Sequence, residues 1–210
     1  MPNITLYGTP VSTYVRTTRL LLAEANIDYD LKDIGIFNGD NKTQSYLSKH
    51  PFGKVPTLEI DGQTIYETAA ITYYINQKLA QGKFSPPDLL MQTRMHQIMA
   101  IIDSYLYAPA IGTIVIQNLI VPTQGGTTDQ QAVEGAIAPT QKALKAIEDL
   151  VVGTPFLVGS MISIADFYLI PIFVYLAKTP QFKALTENTP KLNVWLNEVK
   201  MLASVQQICA

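Results

Sequence analysis

The chain has 210 residues, 48% hydrophobic and 15% charged, enough to bury one large core or two modest ones. Fifteen basic against 17 acidic residues leave a net charge of −2 with no basic run, which argues against nucleic-acid binding. One cysteine, Cys209, and two histidines, His50 and His96, leave no internal disulfide framework and no Cys/His metal site to expect.

Met1-Pro2-Asn3 leads straight into a strand, with no basic stretch and no long apolar segment of the kind a leader needs. Ile4-Thr5-Leu6-Tyr7 reads as a short buried strand, and Gly8-Thr9-Pro10 breaks it. Ser12 then opens a helix over Thr13 to Glu24. A hydroxyl at a helix N-terminus, at the carboxyl end of a strand, faces backbone N–H groups and a dipole that favour an anion. Serine is also a preferred N-cap, and taken alone Ser12 reads as a cap. A second strand is expected at Tyr29 to Asp33, a loop at Ile34 to Asn41 and a short helix at Thr43 to Ser48. Thr57 to Ile60 and Gln63 to Tyr66 form a hairpin around Asp61-Gly62. Glu67-Thr68 opens a third helix, Ala69 to Lys78. Residues 81–88, with Gly82, Ser85 and the Pro86-Pro87 pair, read as a linker.

From Leu89 onward the pattern is helical. Leu90 to Asn118 is one long stretch that Pro109 should kink, and Val121 to Thr128 is a Gly-rich loop. Asp129 caps a second long helix running to Val152. Ser163-Ile164-Ala165-Asp166 resembles a capping box with Asp for Glu, and Ile162 and Phe167 hold the staple positions. Asp166 reads as a structural cap in the core rather than a catalyst. Lys191 to Ala203 is the last helix expected. Ile162 to Leu176, read as the most apolar stretch, is broken by Asp166 and Pro171 and falls short of a membrane span. A soluble cytoplasmic protein with no membrane partner is the expectation.

Three pieces together resemble one family: strand-Ser12-helix with Arg16 one turn on, Pro51-Phe52-Gly53-Lys54-Val55-Pro56 before a hairpin, and Glu67-Thr68-Ala69-Ala70-Ile71. The set is similar to the cytosolic glutathione S-transferases, and within them to the serine-type members (phi, theta and delta-like). The resemblance implies an α/β plus all-α fold. A thioredoxin-like glutathione-binding domain over residues 1–80 and the linker 81–88 precede an all-helical domain, 89–210, carrying the hydrophobic substrate site. The family carries a cap like Ser163–Asp166 at the same place as a folding element.

Glutathione has a thiol that titrates near 8.5, so little is thiolate at neutral pH. The resemblance makes Ser12 the hydroxyl that hydrogen-bonds the sulfur, donating rather than attacking, since no His/Asp pair stands nearby in sequence to activate it. Arg16 adds a charge on the same helix face, or forms a surface or interdomain ion pair. Tyr7, Thr13 and Tyr14 are the other donors available. The resemblance implies that Val55 and a cis Pro56 pair with the cysteinyl backbone. Glu67 would hold the γ-glutamyl ammonium and Thr68 its carboxylate. Lys42 and Lys54 are candidates for the glycine carboxylate. Thr68 stands where relatives show serine, Asn41 where they show histidine, and Lys54 where they show glutamine. His50 reads as a loop residue.

The hydrophobic substrate is expected against Val11, Tyr14, Ile36 and Phe37, with Tyr107, Ile111 and Ile114 from the long helix. Apolar residues at helical spacing are also ordinary core, and only the resemblance gives them this role. The resemblance further implies a homodimer, with Phe52 inserted into the neighbour or packed in its own subunit, and Asp103 reaching the neighbour's γ-glutamyl group. The implied function is conjugation of glutathione to hydrophobic electrophiles in detoxification, with no cofactor beyond glutathione as co-substrate. The alternative is a non-catalytic binding or regulatory protein on the same scaffold. Glutaredoxin-like or dehydroascorbate-reducing chemistry would need a cysteine where Ser12 stands.

Overall fold

In the computed structural model, which describes residues 3–210, the chain divides into two units: Met1–Phe84 with Ala203–Ala210, and Ser85–Leu202. Met1 and Pro2, the start of the stretch read as carrying no leader, lie outside the described residues.

Four short strands build the first unit: β1 (Ile4–Tyr7), β2 (Asp30–Lys32), β3 (Thr57–Ile60) and β4 (Gln63–Tyr66). Their order is β2-β1-β3-β4, with β1 parallel to β2 and antiparallel to β3, and β3 antiparallel to β4. This is the mixed four-stranded sheet of a thioredoxin-like domain. β1 lies inside the sheet and is buried at all four positions, whereas β4, at the edge, is mostly exposed. Asp61 and Gly62 both have positive φ, 48° and 79°, as a two-residue hairpin turn requires. α1 (Thr13–Glu24) and α3 (Thr68–Tyr74) pack on one another, and α3 runs on through a wider turn, Ile75–Leu79. α2 (Gln44–Leu47) is a single turn capped by Thr43, after a 3₁₀ turn at Asp40–Lys42. β2 and α2 are thus shorter than the sequence suggests.

The second unit is helical: α4 (Leu89–Ile120), α5 (Gln130–Leu150), α6 (Ile164–Leu176), α7 (Phe182–Thr186) and α8 (Pro190–Val199). Asp88 and Asp129 cap α4 and α5 by accepting from Met91 N and Ala132 N at 2.9 and 3.0 Å. Pro109 sits inside α4, and on either side of it the helix widens to π turns, Ile102–Leu106 and Ala110–Ile120. Proline offers no N–H to the ladder, and a widened turn accommodates that loss. α4 is long and apolar enough to cross a membrane by length and composition, which the choice of Ile162 to Leu176 as the most apolar stretch overlooks. Its buried residues, including Ile98, Ile102 and Leu106, belong to the core that it forms with α5 and α6.

The fully buried Asp166 carboxylate joins four groups. It accepts from Ser163 N (2.8 Å), Ser163 Oγ (2.7 Å), Leu157 N (3.0 Å) and Trp195 Nε1 (2.8 Å). The expected capping box is therefore present, with two further donors from elsewhere in the unit. Burial pushes the Asp166 pKa up, against the pull of these bonds.

The chain end differs from expectation. α8 stops at Val199, and a separate helix, α9 (Ala203–Cys209), packs on α1 in the first unit. Ser204 Oγ donates to Glu24 Oε1 at 2.5 Å. The division between units falls after Phe84, whose N–H donates to Asn76 Oδ1 at 2.9 Å and whose ring is buried.

Candidate active site

One end of the sheet gathers the segments that hold Ser12, Val55-Pro56 and Glu67-Thr68. Tyr7 pairs with Lys32 and Thr57, and Thr57 with Tyr66, so this row crosses all four strands. Directly beyond it lie Gly8 to Ser12, Val55-Pro56 and Glu67-Thr68. Both α1 and α3 begin at this end, so the positive ends of two helix dipoles lie there. Gly8 permits the close approach: a Cβ on it would lie 2.4 Å from Val15 Cγ2 and 3.3 Å from Val55 Cβ. The loop that leads to Ser12 thus lies against the loop of Val55.

Ser12 occupies the N-cap position of α1 with extended backbone, φ −68° and ψ 132°, but its side chain makes no capping bond. The position is a cap, and the hydroxyl is not used as one. Arg16 is buried, and its Nε donates to the Pro10 carbonyl at 3.1 Å, bracing the turn that presents Ser12. Tyr7 points to the opposite sheet face from Leu6. Its hydroxyl donates to Glu59 Oε2 at 3.3 Å, and its ring lies under Lys49 Nζ at 4.8 Å. Lys49 bonds the same carboxylate and holds the Glu59 pKa below the usual range. Tyr7 is therefore engaged elsewhere. Thr13 is buried and Tyr14 half-buried on α1.

The Val55-Pro56 bond is cis. Glu67 is an exposed N-cap of α3 with φ +69°, and its side chain makes no capping bond. A left-handed non-glycine residue costs of order 1–3 kcal/mol and tends to persist at ligand sites. Half-buried Thr68 follows it as the first residue of α3.

Lys42 and Lys54 are both exposed. Asn41 Nδ2 donates to the Gly53 carbonyl at 2.7 Å, tying the two lysine-bearing loops together. A Cβ on Gly53, at φ +59°, would lie 2.7 Å from the Asn41 carbonyl oxygen. Tyr46, which the sequence reading does not single out, fastens the same loop: its hydroxyl donates to the Lys54 carbonyl at 2.7 Å and sits 3.0 Å from Thr57 Oγ1. Burial raises its pKa, opposed by the Thr57 bond. An aromatic residue one turn into a helix that leads to the loop was the only sequence signal for it.

Of the residues expected to face a hydrophobic substrate, Val11 and Phe37 are exposed, and Ile36 and Tyr107 are half-buried. Ile111 is 7% exposed and Ile114 fully buried, so Ile114 is a core residue of the helical unit with no surface to offer a ligand. Phe52 is 70% exposed, on the turn before Gly53, and Asp103 is exposed on α4. No cluster of His, Cys, Asp or Glu among the described residues could hold a metal.

Residues 2–77 match the glutathione S-transferase N-terminal domain family, and residues 130–198 the glutathione S-transferase C-terminal domain family. Glutathione S-transferase F6 of Arabidopsis thaliana is 28% identical, over 99% of this chain and 100% of the relative. Glutathione S-transferase 1 of Zea mays is also 28% identical, over 100% of this chain and 97% of its own. Glutathione transferase F7 from Populus trichocarpa is similar in structure, with a TM-score of 0.85 at 29% identity, covering 98% of this chain and 97% of that one. Glutathione S-transferase I from maize, in complex with an atrazine glutathione conjugate, has a TM-score of 0.84 at 26% identity, covering 99% and 96%. Both domain families match in order, and the relatives span the whole chain: it belongs to the glutathione S-transferase family.

Proposed function

We propose that the chain is a serine-type, phi-like glutathione transferase that conjugates glutathione to hydrophobic electrophiles. The observation that carries this reading is the uncommitted Ser12 hydroxyl at the start of α1, at the end of a loop whose Gly8 lies against Val55. The glutathione thiol loses its proton to solvent, and Ser12 donates a hydrogen bond to the resulting thiolate. The α1 N-terminus adds its positive end, and Arg16 adds charge while fixing the turn. Lowering the thiol pKa by about two units requires about 2.7 kcal/mol of preferential stabilisation. The thiolate sulfur then forms a bond to an electrophilic carbon. In substitution the leaving group departs with the electrons of its bond, and in addition the carbanion takes a proton from water.

The rest of the tripeptide supplies binding. The Val55 backbone pairs with its cysteinyl portion, and Glu67 with its ammonium. Thr68 takes the γ-glutamyl carboxylate, and Lys42 and Lys54 the glycine carboxylate. Val11 and Tyr14, near Ser12 in the chain, and the exposed Phe37 offer apolar surface to the electrophile. The chain is further proposed to work in the cytoplasm, without a cofactor beyond glutathione, as a two-fold dimer whose interface takes the exposed Phe52 and Asp103. The test is retention on immobilised glutathione followed by turnover with a panel of aromatic and allylic electrophiles. Conjugate formation above the uncatalysed rate supports the reading. Retention without any turnover would favour the non-catalytic alternative.

A further inference from the structure

His50 is a buried titratable group that this chemistry leaves unused. It follows α2 and opens the turn that carries Phe52, its carbonyl accepting from Gly53 N at 2.9 Å. Its ring lies 4.9 Å from that of Tyr66, 6.2 Å from Phe52 and 6.5 Å from Tyr46. The residue is 2% exposed, and its buried Nδ1 has no hydrogen-bond partner among the described residues. One ring thus touches the turn ahead of Val55-Pro56 and, through Tyr66, the residue preceding the strained Glu67.

A neutral imidazole suits this cage and an imidazolium does not. The charged form carries two N–H donors, and the buried Nδ1 makes no hydrogen bond to any described residue. Burial accordingly pushes the His50 pKa below its ordinary value. Among the groups around it, Glu67 and the residue's own backbone favour the charged form and Lys54 opposes it, while Tyr46 and Tyr66 present aromatic rings. Glu67 is the one anion among these that could answer a proton on the ring.

We propose that His50 is a positioning residue for the glutathione site: neutral, it packs Tyr66 and Phe52 and leaves Glu67 turned to the ligand ammonium; protonated, it draws the Glu67 carboxylate away and weakens glutathione binding. The inference rests on the role given to Glu67. Its sign follows from the neutral ring being the binding form. Affinity is full at neutral pH and falls as pH drops through the lowered imidazole pKa.

The probe is S-methylglutathione, a thioether with no thiol to titrate, bound to the full chain in a calorimeter from about pH 7.5 to about pH 5.5. Wild type is expected to lose affinity progressively over this range, by less than the about tenfold that an unshifted imidazole would give at its acid end. His50→Phe, which keeps a ring but cannot titrate, should bind with a flat profile. His96→Gln, altered at an exposed residue of α4, should keep the wild-type slope. A second readout needs no variant: by reciprocity, bound S-methylglutathione must lower the pKa of one of the two histidines in a proton NMR titration. A wild type without slope, a His50→Phe that keeps it, or a His50 titration unmoved by ligand overturns the proposal and leaves the site assignment standing. A wild type that binds no S-methylglutathione at any pH overturns the glutathione reading itself.

Discussion

Two of the described helices begin at a serine, and the two serines are used in opposite ways. Ser163 starts α6, its N–H and hydroxyl both closed onto Asp166, which also holds Leu157 N and Trp195 Nε1. Every group there has a partner, and all of it is buried. Ser12 starts α1 with the same extended backbone, yet its hydroxyl caps nothing. Nearby, Glu67 holds a costly positive φ without capping α3, and His50 Nδ1 lacks a partner. A satisfied helix start stabilises the fold, whereas an unsatisfied one is left for a ligand to complete.

The comparison predicts that breaking the closed cluster affects stability and breaking the open one affects chemistry. Asp166→Ala strands the Leu157, Ser163 and Trp195 donors in the core and should cost about 3–5 kcal/mol of stability, read by denaturant unfolding. A loss below about 1 kcal/mol would remove the contrast. Next in size is the proposed interface: Phe52→Ala should weaken a dimer by about 2 kcal/mol, seen as dissociation in sedimentation at micromolar concentration. A wild-type monomer there would contradict the dimer, and a dimer indifferent to the mutation would contradict only the role of Phe52. Smaller still, Glu67→Gln keeps the side-chain volume and removes the charge. It should raise the KM for glutathione about tenfold, near 1.4 kcal/mol, and leave that of the electrophile unchanged. Equal rises for both substrates would make Glu67 a helix-shaping residue instead.

Much of this was legible because it is local. The hairpin at Asp61-Gly62, the break at Gly8-Thr9-Pro10 before Ser12, and the Ser163–Asp166 spacing are each set by neighbours within a few residues. What escaped depends on distant partners. Nothing around Ala203 announces that α9 folds back onto α1, where Ser204 meets Glu24, 180 residues away. Trp195 reaching Asp166, and Tyr46 reaching Lys54, are likewise tertiary events. Ile114 shows the limit of periodicity: the spacing marks a helix face as apolar but not whether it meets core or ligand, and here it is core. His50 read as a loop residue because its aromatic cage comes from α2, a turn and β4, which only the fold brings together.

The central claim is that the Ser12 hydroxyl is unspent so that it can stabilise a thiolate. The ultraviolet thiolate band of bound glutathione, followed against pH in wild type and Ser12→Ala, tests it most directly. Wild type should titrate about two pH units below free glutathione, and Ser12→Ala should move most of the way back while still binding the tripeptide. A variant whose bound thiol titrates like wild type would contradict the account and turn attention to Tyr14 and Thr13 on the same helix.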